Sequence, residues 1–327
     1  MTKKLLLFVA FVFIGASSYA QDVTKDEAAK LQLESDKLKG ISPDSVKNWK
    51  FGGVISVNGQ QVSLTNWAAG GSNSISFGGI ISGYARYKKG KSTWDNNVDL
   101  GYGIMKQGTN KTWWKTDDKI QITSKYGRQA FKKWYYTALG DFKTQFTNGY
   151  SYPNDSTYIS RFMAPGYLVL ALGLDYKPND HFSLFIAPAT GKFTFVNDDT
   201  LAKHGAYGVQ KEIIDADGHK SQNYLKSRSE LGAYVKMQYQ TKVMDNITFQ
   251  TTLELFSNYL HNPQNIDVNW STLTTFKVNK FISATLTTQL IYDDDINLLR
   301  TSGDKKGTVG PDLQFKQVLG VGFNYKF

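Results

Sequence analysis

From Trp49 to the end of the chain, apolar and polar residues alternate with a period of two, the pattern of β-strands whose two faces meet unlike surroundings. In the closing stretch Leu313, Phe315, Leu319, Val321, Phe323, Tyr325 and Phe327 share one face. Gln314, Lys316, Gly320, Gly322, Asn324 and Lys326 share the other. Earlier segments repeat the scheme. Ile75, Phe77, Ile81 and Tyr87 stand against Ser76, Ser82 and Arg86, and after Lys89-Gly90-Lys91 the chain returns with Trp94, Val98, Leu100 and Tyr102 against Asp95, Asn97 and Asp99. Further strands follow through Ile120, Ile122 and Tyr126; through Trp134, Tyr136, Phe142 and Phe146; through Leu168, Leu170, Leu172, Leu174 and Tyr176; and through Phe182, Leu184 and Ile186. Leu231, Val235, Met237 and Tyr239, then Ile247, Phe249, Leu253 and Leu255, then two threonine-rich runs at 266–278 and 281–292, complete the set. Each has roughly the ten residues that a tilted strand needs to cross a bilayer, and there are about twelve.

Connection lengths alternate as well. Short turns fall at 89–90, 127–133, 178–180, 241–246 and 279–280, on the side of both termini. Longer loops fall at 65–73, 105–118, 147–164, 190–222, 260–265 and 293–311. Short turns on one side and long loops on the other mark a membrane barrel, whereas a soluble β-sandwich with Greek-key crossovers has no reason to keep that parity. The predicted fold is therefore all-β: a transmembrane antiparallel up-and-down β-barrel spanning 49–327. A soluble sandwich is the alternative, with its apolar faces packed on each other.

The amino-terminus adds an address. Lys3 and Lys4 precede an apolar run at 5–14 and small residues up to Ala20, which reads as an export signal over 1–20 cut after Ala20. With no cysteine in the chain, a lipid tether at the cut, a disulfide framework and a thiol nucleophile are all excluded. Residues 21–48 are expected to form a short periplasmic helical segment: Thr24-Lys25-Asp26-Glu27 fits a capping box, Ala28, Leu31 and Leu38 make a thin stripe, and Gly40 and Pro43 end it. The formal charge falls from +10 to +8 once the two signal lysines are gone, without any block of like charge, so no nucleic-acid partner is expected. A mean hydropathy of −0.38 does not weigh against a barrel, since only alternate residues of its wall face lipid.

Candidate chemistry is sparse. Ser257 and His261 are the nearest serine–histidine pair, but four residues along a strand put them about 13 Å apart, so no catalytic residue is expected. Asp215-Ala216-Asp217-Gly218 begins like a calcium loop, yet Lys226 stands where the loop's closing glutamate belongs. An ordinary Asp-Gly turn explains it, and no metal or other cofactor is expected. Asp293, Asp294 and Asp295, with Asp304 and Asp312, form an anionic loop that reads as solvated. Trp113, Trp114, Tyr150, Tyr152 and Tyr158 read as an interfacial aromatic girdle in preference to a sugar-stacking surface. The expected lumen-lining residues are Arg86, Asp95, Asp99, Lys125, Asp141, Lys143, Arg228, Glu230, Lys236, Glu254 and Lys277. Segregated, these charges would make the transverse field of a selective pore; paired, they would brace a closed wall.

Asn66-Trp67-Ala68-Ala69-Gly70-Gly71 and Trp94-Asp95-Asn96-Asn97-Val98-Asp99-Leu100-Gly101-Tyr102-Gly103, with the preceding strand at 49–57 and the Ala-Gln junction at the signal cut, carry a resemblance. They are similar to the exported domain-of-unknown-function family DUF3078, common in Bacteroidota, over nearly the whole mature chain. The resemblance implies an outer-membrane location and brings no substrate, catalytic residue or partner. The expectation is a monomer in the outer membrane of a Gram-negative bacterium. Its surroundings would be membrane lipid and lipopolysaccharide, with the barrel-assembly machinery meeting the strand that ends at Phe327. A passive channel for small polar solutes or ions ranks narrowly ahead of a closed barrel serving as an anchor or an envelope-assembly component.

Overall fold

The computed structural model describes residues 48–63, 72–109, 112–179, 181–279, 282–295, 298–299 and 308–326. The signal segment, the expected helix at 24–39, the small-residue stretch at 66–71, Asp304 and Phe327 lie outside the described residues. Twelve strands close into one barrel: β1 (Trp49–Val62), β2 (Ser74–Lys89), β3 (Ser92–Gln107), β4 (Trp114–Phe131), β5 (Trp134–Thr144), β6 (Gly166–Asn179), β7 (Phe182–Phe195), β8 (Ser227–Met244), β9 (Ile247–Asn258), β10 (Ile266–Lys277), β11 (Ile282–Tyr292) and β12 (Gln314–Lys326). Each pairs antiparallel with its neighbours in sequence. β1 meets β12 from Val54↔Lys326 to Val57↔Phe323, which abolishes the free edge.

Alternation decides which side chains face out. Phe51, Val57, Ile81, Ile122, Tyr136, Leu172 and Phe315 are exposed on the outer wall. Between two aromatic levels, Phe77 beside Trp113 and Tyr87 beside Trp49, β2 runs ten residues. At about 3.3 Å per residue and a tilt of about 40°, that is an apolar band about 25 Å tall, the height of a membrane barrel's belt. The two faces differ sharply on neighbouring residues: Leu172 is 62% exposed and Ala171 2%.

The turns obey the predicted parity. Gly90, at φ +54, makes the two-residue turn from β2 to β3, and Lys132, at φ +41, makes that from β4 to β5. Neighbouring turns are tied into a rim: Lys88 N donates to Asn48 O at 2.8 Å, Gln129 N to Lys91 O at 2.7 Å and Lys177 N to Lys133 O at 2.9 Å.

Several strands differ from their sequence reading; β3 runs on to Gln107 and β8 to Met244, where connections from 105 and 241 were expected. β4 begins at Trp114 and runs to Phe131, so 127–131 is strand and the turn is only Lys132-Lys133. β5 ends at Thr144, which leaves Phe146 in the following loop. β7 continues to Phe195, where a loop from Thr190 was expected. The cause is Pro188, which has no N–H for the ladder and is found in sheets at bulges. Leu172 pairs with Ala189 but Leu174 with Ile186, so a bulge sits at 187–188. The extra residue inverts the parity: Phe185 and Ala187 face inward before it, Thr190, Lys192 and Thr194 after it. Gly173 lies opposite, where a Cβ would collide with the Ile186 carbonyl. No described helix is long and apolar enough to cross a membrane, which says nothing of crossing by strands.

Candidate functional site: the lumen and its outer mouth

The barrel interior is occupied by the chain's own side chains. From β1 to β11 every strand carries at least one inward residue that is almost fully buried, among them Val54, Ile80, Asn97, Gln121, Leu139, Asp175, Phe185, Glu230, Gln250, Leu273 and Thr285. Leu139, Ala171, Phe185 and Ala187 form an apolar cluster inside the barrel, with Tyr234 packed on it, the rings of Phe185 and Tyr234 6.3 Å apart.

Charge pairs complete the filling. Toward the short turns, Asp175 is fully buried between Lys125 and Lys177, the second at 3.2 Å, and accepts from Ser183 Oγ at 2.8 Å. Lys125 also lies over the Phe185 ring and Lys177 over Tyr135. At mid-height Asp141 accepts from Gln121 Nε2 at 2.7 Å and Thr123 Oγ1 at 2.6 Å, and pairs with Lys143 at 3.4 Å. Across from it, Lys236 pairs with Glu254 at 2.8 Å, Glu254 accepts from Asn269 Nδ2 at 3.1 Å, and Asn269 accepts from Gln289 Nε2 at 3.1 Å. This line runs from β8 to β11.

The outer mouth holds the widest network. Lys192 on β7 reaches Asp267 on β10 at 2.8 Å, Asp293 beyond β11 at 3.5 Å and Glu230 on β8 at 3.8 Å. Arg228 donates to Glu230 at 2.6 Å and to Asp295. Asp294 accepts from Asn265 Nδ2 at 2.6 Å and Tyr292 OH at 3.3 Å. The acidic run 293–295, read from sequence as a solvated loop, therefore folds onto the cations at the mouth.

A cap covers this network. The β7–β8 loop carries helix α1 (Asp199–Lys203), and Ala164, Val196, Ala202 and Val209 bury one another under Leu201, Tyr207 and Tyr224. Tyr207 donates to Ile159 O at 2.7 Å, and burial pushes its phenol up to about 12. Gly208, at φ +78, sits so close to Arg228 that a Cβ there would lie 2.5 Å from its Nη1. Asp198 is the hub: its carboxylate accepts from Leu201 N at 2.9 Å as the helix cap, from Arg161 at 2.9 Å and from Tyr158 OH at 3.0 Å. Partial burial opposes ionisation, yet these three donors hold the carboxyl below the usual range.

A folded-state pKa below the unfolded one stabilises above the unfolded value and is lost as pH falls through the folded one. The protection of the Leu201 amide, its exchange rate relative to an unstructured amide at the same pH, should therefore hold from about pH 7 to about pH 5 and fall below about pH 4. Asp198→Ala should raise that exchange at neutral pH by the loss of a cap, about 1 kcal/mol.

Of the lumen residues expected from sequence, Lys125, Asp141, Lys143, Arg228, Glu230, Lys236 and Glu254 enter these networks. Arg86 stands opposite Asp95 in the register and over the Tyr84 ring at 4.8 Å, and Asp99 accepts from Ser82 Oγ. Lys277 does not join them: it ends β10 at the turn rim, exposed. Sequence reading missed Asp175, Lys177, Lys192 and Asp267. The first two were within reach, lying on the face opposite Leu174 and Tyr176; Lys192 was hidden by the bulge.

The other candidates resolve simply. Ser257 Oγ donates to Pro263 O at 2.7 Å, and His261 Nε2 lies 3.3 Å from the Asn262 amide, so the two do not pair with each other. Asp215, Asp217 and His219 lie within 4.8 Å of one another, all exposed, and Asp215 Oδ1 accepts from the Asp217 and His219 amides of its own turn. Trp114 stacks on Tyr152 at 4.8 Å and 13°, while Lys115 N donates to Tyr152 OH at 2.9 Å.

A family model described as a protein of unknown function (DUF3078) matches residues 59–150. The resemblance, read over nearly the whole mature chain, is borne out over that stretch. No curated protein sequence matches. Among solved structures the chain is similar to the translocator domain of autotransporter NalP from Neisseria meningitidis, with 10% identity and a TM-score of 0.35 over 94% of this chain and 100% of that one. It is similar to an outer membrane channel from Pseudomonas putida F1, with 11% identity and a TM-score of 0.39 over 88% and 100%. It is also similar to the NanC porin, with 10% identity and a TM-score of 0.35 over 83% and 98%. The architecture here rests on the strand pairing itself.

Proposed function

We propose that this chain is an outer-membrane protein whose barrel is shut by its own side chains and serves as an anchor that holds a structured platform of loops at the cell surface. One observation carries the reading: inward side chains are buried on every strand from β1 to β11, and cations on β4, β7 and β8 lie against carboxylates on other strands. In an aqueous pore those side chains would border solvent, and the charges would not need one another. The apolar belt and the aromatic levels support the membrane setting, and the cap built on Asp198 supplies the platform. Liposomes carrying the folded protein should not swell in an isotonic pentose solution. Swelling at a rate proportional to protein content would contradict the reading.

A second reading, a passive channel for small polar solutes or ions, is favoured by a different observation. Arg86 Nε and Nη2, Asn97 Oδ1, Gln121 Oε1 and both amide atoms of Gln250 are buried without a hydrogen-bond partner. Such groups need water, and a hydrated path along β1–β4 and β9–β11 would supply it. The swelling experiment separates the two.

A further inference from the structure

The charges at the short-turn rim are distributed unequally. Turn β2–β3 bears Lys88, Lys89 and Lys91, and turn β4–β5 bears Arg128, Lys132 and Lys133, all six exposed. No acidic residue occurs in 86–92 or 128–134. Among the described residues none of the six forms an ion pair, whereas Lys242 on turn β8–β9 is matched by Asp245 at 2.7 Å. The Gln129 N–Lys91 O bond sets the two turns side by side, so the six cations form one arc.

The arc lies next to the aromatic belt. Trp49, Tyr87 and Trp94 cluster above the first turn, with ring centroids 5.1 and 5.8 Å apart, and Phe131, Trp134 and Tyr176 above the second, at 6.1 and 4.8 Å. Lys89 follows the outward parity of Ile81 and Tyr87, and Arg128 that of Ile122 and Tyr126. Both leave the lipid-facing wall at the level where headgroups begin. Unpaired cations at headgroup depth, flanked by interfacial rings, fit phosphate groups on lipids that cannot neutralise them internally.

We propose that the rim arc of turns β2–β3 and β4–β5 is a binding site for the phosphate headgroups of anionic phospholipids in the leaflet facing the short turns. The proposal rests on the membrane reading of the barrel and not on whether the lumen is closed. The rim position favours lipid over an acidic soluble protein, because two of the six side chains emerge from the lipid-facing wall itself.

The test uses the full mature chain folded into phosphatidylcholine vesicles containing trace spin-labelled phosphatidylglycerol or spin-labelled phosphatidylcholine, read by electron spin resonance. Phosphatidylglycerol should be retained at the protein surface about fivefold over phosphatidylcholine at low salt. About 0.5 M salt should erase most of that preference in the wild-type protein itself. Replacing all six cations by Gln should abolish it, and the control Lys203→Gln with Lys211→Gln, on the cap, should leave it intact. Insertion without any preference, or a preference that survives in the six-fold variant, overturns the proposal, and the first result would point to an acidic soluble partner. Failure of the wild-type chain to insert at all, seen as complete protease sensitivity, overturns the membrane reading and this inference with it.

Discussion

Asp175→Asn is expected to destabilise the barrel by about 3 kcal/mol, read as a lowered urea midpoint in lipid vesicles. The substitution keeps shape and one acceptor but removes the negative charge that lies between Lys125 and Lys177. Asp175 is fully buried, and its two cationic partners keep 16% and 32% of their side-chain surface exposed. Removing the anion leaves two cations facing each other beside Phe185. The loss belongs at the low end of the range for broken buried pairs because Lys177 can turn toward water. Lys125→Met in the same chain should restore part of it, since the second change removes one of the stranded charges. A double-mutant cycle over positions 125 and 175 should therefore give a coupling of about 1 kcal/mol or more. Equal midpoints for Asp175→Asn and the wild type would show that the charges are hydrated independently.

Lys192→Met is expected to open the mouth. The thioether fills most of the lysine's volume and keeps its contact with Phe256, over whose ring the ammonium sits at 5.1 Å. What goes is the cation that meets Asp267, Asp293 and Glu230 together. Arg228 alone then faces the acidic side chains, whose mutual repulsion pushes the 293–295 segment outward, away from the cap at Gly208. A stability loss of about 2–3 kcal/mol should accompany ion conductance selective for cations, because the residual mouth is anionic. A variant that loses stability and stays silent in a bilayer would locate the closure deeper, at the Asp175 or Glu254 pairs.

Much of the wall was legible in the sequence, because a barrel strand needs only a two-residue period and a length. Outward residues from Phe51 to Phe323 were placed by parity alone, and strand number followed from counting the alternating runs. The interior was not legible in the same way. Parity assigns Arg228 to the lumen but cannot say that its carboxylate comes from Asp295, 67 residues later, or that Lys192 finds Asp267, 75 residues on. Partners across a closed sheet depend on shear and loop path, which leave no local pattern. Pro188 shows a second limit. One inserted residue reverses inside and outside for the rest of β7, so the lysine that ties the mouth together lay in a stretch that breaks the alternation. Lys277 shows the converse, with correct parity at a height where the lumen has already given way to solvent.

The proposed closure of the lumen is tested most directly by recording from the purified wild-type protein in a planar bilayer. A folded, heat-modifiable barrel that passes no current is expected, with current from Lys192→Met in the same preparation. Stepwise conductance from the wild-type chain, with an ion selectivity that shifts in the double variant Asp141→Asn with Lys143→Gln, would contradict it and establish the lumen as a pore.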